Sequence, residues 1–281
     1  MIVSGEAAYP ISDWDDAYAN ASHIPDGSAY PARWIKCAEA FREELAKAGR
    51  ARIDVAYGPA PRQRLDIFYP EGRYNGLVVF VHGGFWKAFD KSSWSHLANG
   101  SLNSGYAVAM PSYSLCPDVR ISDITKEVAA AIEHSAREVQ GGIFLCGHSA
   151  GGHLVVRMIC RSSPLSDRTV SRIVNTVSIS GLHDLRPLME TKMNDALGID
   201  GEEAKLESPA LLAPLPRQRV VCWVGAKERP EFVRQNRILG DMWSGFDACM
   251  TVTEESDRHH FNIIDGLIEP DHPLTQALLT R

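Results

Sequence analysis

The segment 147–151, Gly-His-Ser-Ala-Gly, places a serine between two glycines, where its hydroxyl could act as a nucleophile. An apolar run over 142–146 precedes it, and apolar residues recur at helical spacing over 154–159. This order predicts a strand, a sharp turn and a helix, with Ser149 at the apex. A serine hydroxyl is a weak nucleophile, and such a turn lifts it clear of both elements so that a base can reach its proton. Glycine is favoured at 147 and 151 because side chains there would collide as the strand and the helix close on each other.

A second chemical signal is the segment 82–86, His-Gly-Gly-Phe-Trp, which follows the apolar run 77–81. Its two glycines let the backbone turn its N–H groups inward. We predict that the N–H groups of Gly84, Phe85 and Ala150 form an oxyanion hole, which stabilises the charge on a carbonyl oxygen under attack. Taken alone, the segment is explained more simply as a glycine turn that ends a strand. The serine turn about two strand-helix units later favours the oxyanion interpretation.

The base for such a serine should be a histidine late in the chain, because in this arrangement the nucleophile is followed by the acid and then by the base. We select His260, since it follows the strand-like segment 248–252 and so lies on the loop after the last predicted strand. His259 is the close rival. His272, near the end of the sequence, is predicted to be a surface residue.

The acid is predicted at Glu228, in the loop after the strand-like segment 219–224. A carboxylate at the C-terminal end of that strand can accept the imidazole N–H and fix the tautomer of the ring. A proline two residues later indicates the start of a helix, so the carboxylate of Glu231 is explained by the dipole of that helix. Asp184 and Asp257 remain open as alternative acids.

A sheet flanked by helices must position these residues. The strand patterns lie near 53–57, 64–69, 77–81, 106–110, 143–146, 173–179, 219–224 and 249–253. Helical patterns lie at about 93–103, 122–138, 150–161, 231–242 and 260–267. The link between the first two strands is too short for a crossover helix, which predicts an antiparallel start. The later strands alternate with helices and should be parallel with right-handed connections, so the fold class is α/β with a mostly parallel eight-stranded sheet.

Two segments stand outside the alternating pattern of this single domain, residues 1–281. The N-terminal arm, residues 1–50, has too many aromatic residues for a disordered tail and carries an amphipathic helix over 34–48. We expect this arm to pack across the edge of the sheet rather than cover the mouth of the site. The insertion 182–217 has a helical segment around 185–197. We expect the insertion to form a lid that determines which substrate shapes are accepted.

The composition excludes several other classes of function. A formal net charge of −6 argues against nucleic acid and anionic membranes as partners, since either requires a basic face. No apolar segment approaches the ~18 residues that span a bilayer, and residues 1–6 lack the features of a secretory signal. The six cysteines show no paired spacing, so we expect reduced thiols and a cytoplasmic location. Metal-ligand and phosphate-loop motifs are missing from the sequence, which predicts a protein without metal or cofactor.

Several of these segments together resemble the kynurenine formamidase (arylformamidase) branch of the α/β-hydrolases, the branch that carries the His-Gly-Gly-x-Trp motif. The segments are 82–86, 147–151, 180–185, 228–235 and 260–261. The resemblance covers roughly residues 53–268. It implies the α/β-hydrolase fold and a cofactor-free serine hydrolase with Ser149 as nucleophile, Glu228 as acid and His260 as base. The chain departs from the branch in having glutamate rather than aspartate at 228 and arginine at 229.

The resemblance also implies a substrate class. We expect removal of a small acyl group, formyl or acetyl, from an aromatic amide or ester, which for N-formylkynurenine is a step of tryptophan catabolism. Trp86 follows the oxyanion glycines and would narrow the space around the acyl carbon, and Tyr113 would line the leaving-group side. A general small-acyl carboxylesterase or thioesterase is the alternative, and a non-catalytic binding protein of the same fold is the alternative from a different class. The expected partner is a small molecule, and a homodimer is compatible with the sequence.

Overall fold

An eight-stranded β-sheet forms the centre of the protein in the computed structural model, which describes residues 11–281. The segment 1–6, on which the secretory-signal prediction rests, lies outside this range. The strands are β1 Ala51–Ala56, β2 Arg64–Phe68, β3 Gly76–Val81, β4 Ala107–Pro111, β5 Gly142–His148, β6 Ile173–Ile179, β7 Gln218–Gly225 and β8 Ala248–Glu255. Each overlaps a strand pattern of the sequence.

The strand order is β1-β2-β4-β3-β5-β6-β7-β8. β2 is antiparallel to both of its neighbours, and the other pairs are parallel. The predicted antiparallel start and mostly parallel sheet are confirmed. Because β3, β5, β6, β7 and β8 run in the same direction, the loops that follow them meet at one edge of the sheet. The residues predicted for the triad and the oxyanion hole directly follow β3, β5, β7 and β8 at that edge.

Helices cover both faces of the sheet. The α-helices are α1 Trp14–Ala17, α2 Tyr30–Lys47, α3 Asn99–Asn103, α4 Ile121–Glu138, α5 Ala150–Arg157, α6 Asp167–Val170, α7 Asn194–Leu197, α8 Gly201–Glu207, α9 Pro230–Trp243 and α10 Pro273–Leu279. Short 3₁₀ helices occur at Ala21–His23, Gly27–Ala29, Lys91–Ser93, Ser95–Ala98, Arg186–Glu190, Pro209–Leu211 and Ile263–Leu267. Within residues 11–281, no helix is both long enough and apolar enough to cross a membrane.

The helix predicted over 260–267 is present only as the 3₁₀ helix Ile263–Leu267. The side-chain oxygen of Asn262 accepts the backbone N–H of His259 at 2.8 Å. Such a local side-chain bond competes with the helical backbone pattern and favours a turn. His260 therefore lies on a loop.

The central strands β3 and β4 are apolar along their whole length because both of their faces are buried, whereas the edge strands β1 and β8 carry exposed polar residues. In β3, Leu77, Val79 and Val81 pack with α4, α5 and α9 on one face. Val78 and Phe80 pack with α2, α3 and α10 on the other. Successive strand residues point to opposite faces, so a continuous apolar run supplies two cores at once. The packing of these two cores fixes the positions of the strand ends and of the loops that follow them.

Candidate active site

Ser149 lies at the junction of β5 and α5 with φ +55° and ψ −119°, a strained backbone conformation. Its N–H donates to the carbonyl of Ile179 at 2.8 Å. A methyl group added at Gly147 would lie 2.2 Å from the carbonyl oxygen of Gly151, and one at Gly151 would lie 1.9 Å from that of Val81. The predicted strand, turn and helix are present, and the close backbone approach explains why both positions are glycine.

Glu228 and His260, 32 residues apart in the sequence, are in contact with each other. His260 Nδ1 lies 2.6 Å from Glu228 Oε2, and both side chains are buried. The other carboxylate oxygen accepts the hydroxyl of Ser180 at 2.5 Å and the N–H of Gly225 at 2.9 Å. A carboxylate only accepts hydrogen bonds, so Nδ1 carries a proton and Nε2 is the ring nitrogen left to accept one. This is the tautomer that a general base requires.

The alternative acids are engaged in other ion pairs. Asp184 accepts two hydrogen bonds from the guanidinium of Arg186, both at 2.9 Å. Asp257 is exposed and lies 2.6 Å from the ammonium group of Lys227. Among the three carboxylates that the sequence left open, the structure brings Glu228 to the imidazole of His260.

The alternative histidines also have other contacts. His259 Nε2 lies 3.2 Å from the hydroxyl of Tyr30. His272 Nδ1 accepts the N–H of Leu274 at 3.2 Å and so caps α10, and its Nε2 lies 3.4 Å from a carboxylate oxygen of Glu255. His272 therefore has a structural role at the N-terminus of the last helix.

A cavity of about 450 Å³ opens beside Ser149. Its lining contains Ser149 and His260 together with Gly84 and Phe85 of the predicted oxyanion hole. Most of the remaining wall is apolar or aromatic. This volume falls in the range of small-molecule sites, which are concave, mostly apolar and carry a few polar groups.

The predicted oxyanion donors lie on backbone that surrounds Ser149. Gly84 and Phe85 have φ of +117° and +49°, and within residues 11–281 their N–H groups donate to no backbone carbonyl. Ala150 is the first residue of α5, where an N–H has no partner inside the helix. A methyl group added at Gly83 would lie 3.0 Å from Ser149 Cβ, so this segment packs directly against the serine. The N–H groups of Gly84, Phe85 and Ala150 are therefore available, beside Ser149, to donate to a ligand.

The structure corrects the two predicted substrate contacts. Trp86 is fully buried, lies outside the cavity lining and packs edge-on against His153, with ring centroids 5.1 Å apart. Tyr113 is also fully buried, stacks on His82 at 4.3 Å and donates its hydroxyl to the His82 carbonyl at 2.8 Å. Both side chains therefore pack in the protein interior and not against the cavity. The backbone at Trp86 is left-handed, with φ +54°, and this conformation decides where the side chain points. The sequence does not reveal that conformation.

The N-terminal arm, and not the insertion 182–217, forms a wall of the cavity. The lining includes residues 18–22, Pro31 and Trp34 of the arm and none from the insertion. This differs from both expectations, because the arm was expected to pack across the edge of the sheet and the insertion was expected to form a lid. The insertion lies elsewhere on the surface because its short helices pack against α4 and α9.

Arg229, one of the two residues that depart from the branch pattern, links the arm to the loop of Glu228. Its guanidinium donates to the Asp16 carbonyl at 3.2 Å and pairs with the Asp16 carboxylate. Two residues further on, Glu231 accepts the hydroxyl of buried Tyr18 at 2.8 Å. The arm is thus held to the beginning of α9 by one ion pair and one buried hydrogen bond.

The sequence assigned no catalytic role to Ser180 or His148. Ser180 follows β6 with φ +52° and donates to Glu228, as described above. His148 Nε2 donates to the carbonyl of His260 at 2.9 Å. Burial, together with the neighbouring His260, holds the pKa of His148 well below its ordinary value, so His148 is a neutral donor. The sequence signal available for Ser180 was its position. It is a polar residue at the C-terminal end of β6, and β6 lies beside β7, the strand that precedes Glu228.

We expect Ser180→Ala to lower kcat/KM by about tenfold to a hundredfold, because a hydrogen bond to a charged group contributes about 1.5–3 kcal/mol. The variant should also move the proton NMR resonance of the His260 Nδ1–H, since the carboxylate that accepts it becomes less firmly held. Ser178→Ala is the matched control, because buried Ser178 bonds His183 at 3.2 Å instead. Equal effects of the two changes on rate and resonance would contradict a positioning role for Ser180.

Comparison with known proteins shows which families and structures the chain is similar to. The BD-FAE family model matches residues 65–203. The kynurenine formamidase of Danio rerio is 29% identical over 294 residues, which cover 96% of this chain and 98% of that protein. The crystal structure of a candidate thioesterase from a Silicibacter species superposes with a TM-score of 0.90 at 47% identity, covering 95% of this chain and 99% of that one.

Esterase B from Lactobacillus rhamnosis, with a TM-score of 0.63 and 19% identity over 89% of this chain and 91% of that one, shares the fold. Within residues 11–281, no group of three or more His, Cys, Asp or Glu side chains is arranged to hold a metal ion. The protein is a hydrolase of the α/β-hydrolase superfamily, and it is similar to the kynurenine formamidases over most of its length.

Proposed function

We propose that this protein is a serine hydrolase that removes a formyl or acetyl group from an aromatic amide or ester, with Ser149, Glu228 and His260 as its catalytic triad. The observation that carries the proposal is the buried contact of 2.6 Å between His260 and Glu228, beside a cavity that also contains Ser149. A fixed imidazole tautomer next to a serine on a strained turn is the arrangement that activates a hydroxyl.

The proposed reaction has two halves. Ser149 Oγ attacks the substrate carbonyl while His260 Nε2 takes the hydroxyl proton, and Glu228 stabilises the imidazolium that forms. The N–H groups of Gly84, Phe85 and Ala150 hold the oxyanion. His260 then gives the proton to the departing amine or alcohol as its bond to the carbonyl carbon breaks. Water attacks the acyl-enzyme in the same way, and formate or acetate leaves.

The walls of the cavity support an aromatic leaving group. Trp34, Phe89, Trp94 and Phe261 line it together with residues of the arm. Phe85, whose N–H is one of the proposed oxyanion donors, also lines the cavity and limits the room for the acyl chain. The kynurenine formamidase relatives favour N-formylkynurenine as a substrate, which would place the protein in tryptophan catabolism. The candidate thioesterase relative favours the alternative, a small-acyl carboxylesterase or thioesterase.

The setting that we propose for this activity is the cytoplasm. All six cysteines are free thiols, as expected for a reducing compartment. The proposed triad and oxyanion donors all come from one chain, so the reaction needs no residue from a second subunit.

A kinetic comparison tests the substrate class. We expect kcat/KM for N-formylkynurenine to lie within about tenfold of that for phenyl acetate, and to fall steeply for phenyl esters with acyl chains of six or more carbons, because Phe85 restricts the acyl side. If the formamide were ~10³ worse than the best ester, a deficit of ~4 kcal/mol in transition-state stabilisation, the protein would be a small carboxylesterase. Failure of a fluorophosphonate probe to label Ser149 in folded protein would favour the non-catalytic alternative.

A further inference from the structure

The N-terminal arm contacts the residues on both sides of His260, the proposed base. The hydroxyl of Tyr30, the first residue of α2, lies 3.2 Å from His259 Nε2, and the two rings meet edge-on with centroids 5.6 Å apart. On the other side of the base, Phe261 packs against Tyr30 and Trp34, with ring centroids 5.4 and 5.2 Å apart. The residue before His260 and the residue after it are therefore both held by the same helix.

The loop that carries the base is built around His259. The carbonyl of His259 accepts the N–H of Asn262 at 3.1 Å, and its ring Nδ1 accepts the N–H of Phe261 at 3.2 Å. Burial lowers the pKa of His259, which favours the neutral ring. A neutral ring that accepts at Nδ1 carries its proton on Nε2, so His259 donates to the hydroxyl of Tyr30. A shift of the His259 ring would move the backbone that carries His260.

The same arm also holds the loop of the acid. Arg229, the residue after Glu228, pairs with Asp16, and Tyr18 donates to Glu231 at 2.8 Å. The side chains of the ion pair are partly exposed, and such pairs contribute little to stability. The buried hydrogen bond of Tyr18 therefore dominates this attachment. The arm thus connects the loop of the acid with the loop of the base.

We propose that Tyr30 is a positioning residue, which sets the contact between Glu228 and His260 by holding both neighbours of the base against the arm. This inference rests on the proposed function, in which His260 takes the proton of the serine. Proton transfer requires close alignment, and a misplacement of about 1 Å can cost ~10²-fold in rate. Tyr30 lies outside the lining of the cavity, so its loss acts on kcat rather than on KM.

Two graded variants of Tyr30 test the proposal. Tyr30→Phe removes only the hydroxyl and should lower kcat with phenyl acetate by about threefold to tenfold, the range for one hydrogen bond. Tyr30→Ala also removes the ring that packs against Phe261, and it should lower kcat by about thirtyfold to a hundredfold. KM should stay nearly unchanged in both. The proton NMR resonance of the His260 Nδ1–H should move further in the alanine variant, since it reports the contact with Glu228.

Arg42→Met is the matched control, because Arg42 belongs to the same helix but donates to Ser95 Oγ at 2.9 Å. It should lower Tm, while kcat and the His260 resonance stay as in wild type. If Arg42→Met reduces kcat and moves the resonance as much as Tyr30→Phe does, general loosening of α2 explains both, and the positioning role is wrong. Tyr30→Phe, which keeps the ring, decides the test if Tyr30→Ala does not fold.

The resonance keeps this proposal separate from the proposed function. A resonance that moves in Tyr30→Phe, in a protein whose Ser149 is not labelled by a fluorophosphonate probe, would sink the serine hydrolase and leave the positioning role standing. Labelling of Ser149 in wild type, with kcat and resonance unchanged in the folded Tyr30 variants, would overturn the positioning role and leave the hydrolase standing.

Discussion

Replacing Ser149 with alanine is expected to abolish turnover, with a loss on the order of 10⁴–10⁶-fold in kcat, as for the nucleophile of a serine protease. The change removes only the attacking oxygen. The alanine methyl group occupies the place of Ser149 Cβ, and the strained backbone at φ +55° is retained. We therefore expect the same circular dichroism spectrum and a nearly unchanged Tm. The measurement is kcat with phenyl acetate, together with labelling by a fluorophosphonate probe.

Residual activity is the outcome that decides this prediction. If the folded alanine variant keeps more than a few per cent of wild-type activity, and contaminating wild type has been excluded, Ser149 is not the nucleophile. Loss of activity together with a large fall in Tm would instead indicate that the turn had been disrupted, and kcat per folded molecule, measured well below the lowered Tm, would then separate the two effects.

Replacing Glu228 with glutamine is expected to lower kcat by a factor approaching ~10⁴, by analogy with the aspartate-to-asparagine change in serine proteases. The geometry of this site gives the reason. The hydroxyl of Ser180 and the N–H of Gly225 both donate to one oxygen of Glu228, so they would hold the amide oxygen of a glutamine at that position. The amide NH₂ would then face His260 Nδ1 and donate to it. The imidazole would carry its proton on Nε2, where it cannot accept one from serine.

The two rival carboxylates provide the controls for this change. Asp184→Asn and Asp257→Asn remove charges that face Arg186 and Lys227 respectively. We expect losses of less than about tenfold in kcat from either, because exposed or partly exposed ion pairs contribute little. Tm is measured for Asp184→Asn, since that side chain is buried. A far larger loss of activity from either control than from Glu228→Gln would show that the acid lies elsewhere.

The sequence determined those features that depend on residues close together along the chain. All eight strand patterns overlap observed strands, and the central ones were recognisable as apolar runs because a strand buried on both faces is apolar at nearly every position. The spacing of glycines around Ser149 predicted the turn, since the collision that a side chain would cause involves residues four apart, Gly147 and Gly151. The segment 82–86 was identified for the same reason, as a glycine pair at the end of a strand.

Contacts between distant parts of the chain were decided only by the tertiary structure. Glu228 was one of several open acids until the sheet order placed its loop against that of His260, 32 residues later. The arm forms the cavity wall because Tyr18 meets Glu231, 213 residues away, and the inward turn of Trp86 follows from its left-handed backbone. Local patterns fix backbone conformation and apolar faces. Which loops meet at the edge of a sheet depends on strand order, which is set by the packing of the whole core.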